Sequence, residues 1–409
     1  MYHKGNTCRI CNSPNIELIL NLGEQPPANS LLSPENFDSP EPRFPLRLFV
    51  CKDCFLVQLL DIVEKEFLFK HYLYLSSASK PLSEHFFNYA QYISQNFLKK
   101  EKSLTMEIGS NDGTLLKEFR KLGFPVLGVE PASNIAKMAN ESGIPTLNEF
   151  FTSDLAQSLK DKRPTAIIAN NVVGHIDALH DFMKGIAILL QEEAVFVFEV
   201  PYLVDMLDKL EYDTIYHEHR SYFSILPLTR ILDDYDLQIF DVQRQKVHGG
   251  TIRVFVSKKG SHEVSKTTVT MLKQEKEGGM NNIRTYREFG KKVEFSRELL
   301  LKELSTLKEN GKKIFGYGAP AKGNVLLNYC GIDTRLLDFV TDTTPLKQGL
   351  YTPGTRIPIR SPDIINSLNG DYVALLLAWN YEDAILSKEH EFRKRGGKFL
   401  IPIPHATLK

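Results

Sequence analysis

The segment Tyr216-His-Glu-His-Arg-Ser-Tyr222 gathers two histidines, a carboxylate and two tyrosines within seven residues. Histidine exchanges protons near neutral pH, and a neighbouring carboxylate or phenol can fix its orientation, so this composition suits general acid–base work. His217-x-His219 beside Glu218 also invites a metal reading, but the spacing is not the i, i+4 pair that a helix offers a catalytic zinc. A hydrogen-bonded polar corner is the other reading. The residues alone leave the two open.

A second stretch, Glu107-Ile-Gly-Ser-Asn-Asp-Gly113, follows the apolar run Ser103-Leu-Thr-Met106 and precedes Thr114-Leu-Leu-Lys-Glu-Phe119, which has helical spacing. Gly109 and Gly113 remove Cβ atoms where a strand turns sharply into a helix, so a ligand can approach the backbone. The next strand, Pro125-Val-Leu-Gly-Val129, ends on Glu130, placed to accept hydrogen bonds from ribose hydroxyls. The turn lacks the three glycines of a dinucleotide fingerprint and carries an acid and an amide, Glu107 and Asn111, instead. That suits a cationic nucleoside cofactor such as S-adenosylmethionine (SAM), which makes no phosphate demand. A tight strand–helix turn with no ligand is the bland alternative.

These groups need a scaffold. From about 101 to 240 candidate strands (Ser103–Ile108, Pro125–Glu130, Thr165–Ala169, Ala194–Val200) alternate with helices, which predicts a parallel sheet covered on both faces. Ligands of such sheets collect beyond the carboxyl ends of the strands. That puts Gly109, Glu130, Asn170 and His175 around one crevice. A second α/β unit opens at Lys312-Lys-Ile-Phe-Gly316-Tyr-Gly318-Ala-Pro-Ala-Lys322-Gly, whose glycines and Lys322 are good parts for holding a diphosphate. Asp338 or Asp342 closes the following strand, Leu336–Thr341, about where a ribose-binding acid would lie. Leu375–Ala378 is a further buried strand, and residues 265 to 310 are a charged, helical connector.

Four of the five cysteines fall in two Cys-x-x-Cys pairs, Cys8/Cys11 and Cys51/Cys54. In a reducing compartment such pairs are metal ligands more often than disulfides, and four thiolates close a tetrahedral zinc site with no open position. Two disulfides or a redox dithiol are the alternatives. Cys330 is expected to be a buried small apolar residue. Among the aromatics of residues 71 to 100, Tyr72 and Tyr74 have polar tips that either pack or face a ligand.

Fifty basic and fifty acidic residues cancel. A nucleic-acid partner would ask for a basic footprint, so nothing here suggests an extended phosphate backbone as partner. No run has the length of a transmembrane helix and no secretory signal is visible, so the expected setting is cytoplasmic, away from membranes.

The order of these motifs resembles the SAM-dependent C-methyltransferases of nucleotide-linked deoxysugars. The resemblance spans the chain: the cysteine pairs, Glu107–Gly113, Gly128-Val-Glu-Pro131, Asn170-Asn-Val172, Tyr216-His-Glu-His219, His248-Gly-Gly250 and Gly316-Tyr-Gly-Ala-x-Ala-Lys-Gly323. It implies a zinc-binding module (1–70), a Rossmann-like SAM-binding domain (71–240) and a second Rossmann-like α/β domain for the nucleotide sugar (241–409). It implies a monomer that methylates C-3 of a nucleotide-linked 4-keto-6-deoxyhexose. His219 would be the base, Glu218 and Tyr216 would orient it or the sugar, and His175 would polarise the keto oxygen. Tyr222 and Tyr74 are further catalytic candidates. SAM would lie against Glu107, Gly109, Asn111, Gly113, Glu130, Pro131 and Asn170, with Phe150 over the adenine. The sugar nucleotide would meet His248, Gly318, Ala319, Lys322, Asp342 and Lys347.

Two rival functions remain. Gly316-x-Gly318-x-x-Ala321 also reads as a dinucleotide site, hence an NAD-dependent oxidoreductase, though no catalytic tyrosine–lysine pair stands near it and the Glu107 motif would be unexplained. A zinc-ribbon nucleic-acid adaptor is opposed by the zero net charge.

Overall fold

Four short apolar segments, Thr105–Ile108, Val126–Val129, Ala166–Asn170 and Val195–Pro201, become the parallel strands expected from sequence, with bounds shifted by one or two residues. The computed structural model describes residues 2–64, 67–68, 80–99, 103–247, 249–368 and 370–409; Tyr72, Tyr74 and His248 lie outside the described residues. Val195–Pro201 is buried almost throughout, as a strand covered on both faces must be. Across the sheet the order is Leu237–Gln245, Thr251–Lys258, Val195–Pro201, Ala166–Asn170, Thr105–Ile108, Val126–Val129, Thr146–Leu147. Thr105–Ile108 comes first in the chain yet sits between Val126–Val129 and Ala166–Asn170. Successive connections diverge there, which opens a crevice at the carboxyl ends.

The sheet runs past residue 240. Thr251–Lys258 lies antiparallel to Val195–Pro201 and carries Leu237–Gln245 on its other side. A boundary at 240/241 would cut through Leu237–Gln245, because residue alternation marks a strand without saying which sheet it joins.

In the N-terminal module, Ile16–Gln25, Phe44–Cys51 and Val57–Leu59 form an antiparallel sheet. Its fourth strand, Ser221–Tyr222, comes from the segment just after His219. The C-terminal sheet is a second Rossmann-like unit. Its order is Ile359–Arg360, Val340–Thr341, Lys313–Tyr317, Tyr372–Leu376, Lys398–Ile401, Thr407–Leu408, parallel except for the last. The strand expected over 336–341 is only Val340–Thr341, and the one expected over 375–378 starts earlier, as Tyr372–Leu376. Cys330 is buried, as expected.

The helical connector is two helices, Lys266–Glu277 and Ile283–Glu309, capped by Ser265 and Asn282, whose side chains accept from Thr268 N and Arg284 N. On the longer one Tyr286, Phe289, Val293, Ser296, Leu300, Leu304 and Leu307 recur every three to four residues and are buried. All but Ser296 share one core with Leu20, Leu48 and Val57 of the N-terminal sheet and Ile314 and Leu375 of the C-terminal one. Gly290 permits the approach: a Cβ there would sit 2.1 Å from the carbonyl oxygen of Ile19. This helix thus joins the first module to the last. Among the described residues no helix is long and apolar enough to cross a membrane.

Candidate active site

The carboxyl ends of the central strands line a cavity of about 470 Å³. Glu107, Gly109, Asn111, Glu130, Pro131, Phe150, Asn170 and His175 all reach it, so eight of the sequence candidates converge. The turn is built for close approach. Gly109 takes φ 66° and Asn111 φ 50°, and a Cβ on Gly109 would lie 2.5 Å from Val172 Cγ2. Gly113 does not line the cavity. It caps Thr114–Lys121 at φ 73°, where a Cβ would press on Ile144 at 3.0 Å.

Glu130 does more than end a strand. Its Oε2 accepts from Asn111 N at 2.9 Å and its Oε1 from Ala132 N at 2.9 Å, so it also holds the glycine turn in shape. Burial raises its carboxyl above the ordinary range. Glu107 is pushed well above that range, first by burial and then by Glu130 and Asp112. Among the described residues its Oε2 is buried without a hydrogen-bond partner, as are both amide atoms of Asn170. Buried polar atoms of this kind are normally satisfied, so these acceptors and donors on two residues that line the cavity fit a polar ligand. An ammonium and hydroxyls are the groups they would meet, which SAM carries.

The histidine cluster adjoins this cavity. His175 lines it, and the His175 and His219 rings are 4.9 Å apart. His219 Nδ1 lies 2.8 Å from the Thr214 carbonyl oxygen, so Nδ1 is the protonated nitrogen of the neutral ring and Nε2 carries the lone pair. The Tyr216 ring is 3.9 Å from His219 and that of Tyr222 is 6.3 Å away. Burial and the nearby Arg220 bring His175 down to about 4, so it is a neutral imidazole. Glu218 is pushed up to about 7 by burial; its Oε1 accepts from Asn29 Nδ2 at 2.6 Å. Tyr222 is buried, which raises its phenol well above the usual value.

The four cysteines come together with their sulfurs all within 4.8 Å. Both knuckles have one geometry. The residue after the second cysteine, Asn12 or Phe55, is left-handed (φ 57° and 62°), and its N–H donates to the carbonyl of the first, Cys8 or Cys51. Four thiols so arranged, with no disulfide, fit a tetrahedral zinc ion and leave it no open position.

The C-terminal candidates sit apart from the cavity. Gly318 takes φ 89°, Ala319 N donates to Asp342 Oδ2 at 2.8 Å, and Lys347 Nζ donates to Ala319 O at 2.8 Å. Asp342 therefore holds this turn much as Glu130 holds the first. Lys322 lies 5.1 Å from the Trp379 ring, and its charge opposes the burial that raises Glu211, to about 7, and Asp213.

The sequence did not point to Arg9, Asn29, Asp177 or Arg220. Asp177 and Arg220 line the cavity with His3, Ile62 and Glu64 of the first module. Only folding brings them there.

Residues 8–69 match the family model for a zinc binding domain, 84–242 that for a methyltransferase domain, and 246–404 that for the C-methyltransferase C-terminal domain. The chain is 37% identical over 404 residues to the C-methyltransferase NovU of Streptomyces niveus, covering 98% of this chain and 96% of that one. The chain belongs to the C-methyltransferase family. As a C-methyltransferase it uses SAM, and its four-cysteine cluster is a structural zinc site. Solved structures with likeness include magnesium protoporphyrin IX methyltransferase of Synechocystis PCC 6803 with bound SAM (12% identity, 43% of this chain and 79% of that one, TM-score 0.33). Another is the PH0226 protein of Pyrococcus horikoshii OT3 (13%, 48% and 100%, TM-score 0.37).

Proposed function

We propose that this C-methyltransferase methylates C-3 of a nucleotide-linked 4-keto-6-deoxyhexose through an enolate, with His219 as the base. The observation that carries the reading is the hydrogen bond from His219 Nδ1 to Thr214 O, which leaves Nε2 as the proton acceptor beside the cavity wall. The 4-keto group acidifies the C-3 hydrogen. His219 Nε2 takes that proton, and the C–H electron pair moves into the C-3/C-4 bond as the keto oxygen gains charge. His175, a neutral imidazole, donates an N–H to that oxygen and stabilises it. SAM supplies a methyl group on a sulfonium, which needs no further activation.

Glu107, Gly109, Asn111, Glu130, Pro131, Phe150 and Asn170 hold SAM in the 470 Å³ cavity. Tyr216, whose ring lies 3.9 Å from that of His219 and tilted to it, orients the base or the sugar. Gly318, Ala319, Lys322, Asp342 and Lys347 take the nucleotide in the C-terminal domain. The test is incubation with SAM and a panel of dTDP- and GDP-linked 4-keto-6-deoxysugars in deuterated water, read by mass spectrometry and NMR. A product one methyl heavier at C-3, with deuterium entering C-3 when SAM is omitted, is the expected result. Methylation at oxygen or at another carbon overturns it.

A further inference from the structure

The first cysteine knuckle is wired to the wall of the cavity through a side chain that is not a metal ligand. Arg9 stands between Cys8 and Cys11 and is 8% exposed at its side chain. Its Nε and Nη2 donate to Asp177 Oδ1 at 3.2 and 3.1 Å. Nη2 also donates to Leu59 O at 3.0 Å, and Nη1 to Arg220 O at 3.1 Å. Gln58 Oε1 and Ser221 Oγ lie 3.3 and 3.4 Å from Nη1. The guanidinium fork therefore spans three separate segments at once, which a lysine cannot do.

The other side of the network faces the chemistry. Arg220 Nη1 is 3.6 Å from Asp177 Oδ2, and its Nη2 donates to Val63 O at 2.8 Å. Arg220 N donates to Gly174 O at 2.8 Å, tying the residue after His219 to the residue before His175. Both arginines are buried, at 8% and 5%, whereas Asp177 is 40% exposed, and Asp177 and Arg220 both line the cavity. The knuckle has a second anchor on the same wall: His180 Nε2 is 2.7 Å from Ile10 O, and His180 belongs to the helix Leu179–Leu189 that also brings Asp181 to the cavity.

We infer that Arg9 is a positioning residue of the methyl-transfer site, fixing Asp177 and Arg220 on the cavity wall and so making the zinc knuckle part of the cofactor pocket's frame. Two cations share one carboxylate, and removing Arg9 leaves Asp177 held from one side only, at the 3.6 Å contact with Arg220. Arg220 can then shift, and with it the backbone link from Arg220 N to Gly174 O beside His175. The inference rests on the assignment of this cavity to SAM.

The experiment measures S-adenosylhomocysteine affinity by titration calorimetry, with zinc content by elemental analysis, for the full chain and four variants. Arg9→Met and Asp177→Asn are each expected to weaken binding roughly 10-fold, as loss of supporting hydrogen bonds does in other sites. The double variant is expected to be no weaker than either single one, because Arg9 acts through Asp177. One zinc per chain is expected throughout. Unchanged affinity in zinc-loaded Arg9→Met overturns the inference, and so do additive losses in the double variant. If Arg9→Met loses zinc, Asp177→Asn, outside the knuckle, decides alone: wild-type affinity there overturns it. Glu130→Ala separates the two claims. Unchanged affinity in that variant removes the cavity assignment itself, whereas weakened binding there with intact Arg9→Met binding removes only the role of Arg9.

Discussion

His219 donates its Nδ1 proton to the carbonyl oxygen of Thr214, 2.8 Å away, and so presents Nε2 as its basic nitrogen. A side chain without a basic nitrogen should abolish proton abstraction but leave the cofactor cavity, which His219 does not line, undisturbed. His219→Asn is expected to lower kcat by about 10²–10⁴-fold. Deuterium exchange at C-3 should vanish with it while SAM affinity stays within about twofold of wild type. Retained exchange would move the base elsewhere.

Gly109 and Val172 approach each other closely on the wall of the same cavity. Alanine at 109 meets Val172 Cγ2 at 2.5 Å and must also hold φ 66°. Gly109→Ala is expected to weaken SAM binding by at least about tenfold and to destabilise the fold by roughly 1–2 kcal/mol. Val172→Ala in the same chain should restore part of the affinity by removing the clash, leaving the backbone strain. Calorimetric titration of both variants checks this; no rescue would mean that strain alone sets the loss.

Glu218 should make stability depend on pH in an identifiable window. Its carboxyl lies at about 7 when folded against 4.5 as the ordinary value, so the folded chain holds this proton more tightly. The stabilisation is whole below about 4.5 and is lost as pH rises through 7. Glu218→Gln mimics the protonated form, and relative to wild type it is expected to gain on the order of 1–3 kcal/mol at pH 8 and little at pH 4.5. His175 and His217, both brought down to about 4, act oppositely and lose stability as pH falls below 6.5, but they cancel in the comparison. Urea unfolding of both proteins at the two pH values measures the difference. A gain that is equal at both would exclude a charge effect.

Trp379 crosses the seam between the central and C-terminal domains, its Nε1 donating to Asp213 Oδ2 at 2.6 Å. Asp213 is fully buried and, among the described residues, its other oxygen has no hydrogen-bond partner. Trp379→Phe keeps most of the apolar bulk and removes the donor, and is expected to destabilise the chain by roughly 1–3 kcal/mol. Asp213→Leu added to it should cost less than the sum of the two, since the stranded acceptor disappears. Additive losses would show that the hydrogen bond does not matter.

What the sequence disclosed was local chemistry. Gly109 had to be glycine for its turn, and Cys-x-x-Cys closes a knuckle within four residues, so both were legible. Glu130 and Asp342 were legible as acids ending strands, but each spends hydrogen-bonding capacity on its own turn, at Asn111 N and Ala319 N. The pattern of an acid after a strand does not distinguish these uses. Arg9, Asp177 and Arg220 were illegible for a different reason. They meet across 168 and 211 positions of chain, and no local spacing reports such a meeting. That Thr251–Lys258 extends the central sheet, antiparallel to Val195–Pro201, is likewise revealed only by packing.

Ser221–Tyr222, two residues beyond His219, completes the sheet of the zinc module. A chain organised this way cannot acquire or discard that module as a detachable cassette. Deleting the first seventy residues would strip the backbone partner from the strand adjoining the base, and grafting them elsewhere would leave Val57–Leu59 with a raw edge. The module and the catalytic segment are therefore expected to have been inherited together, with changes in one constrained by the other.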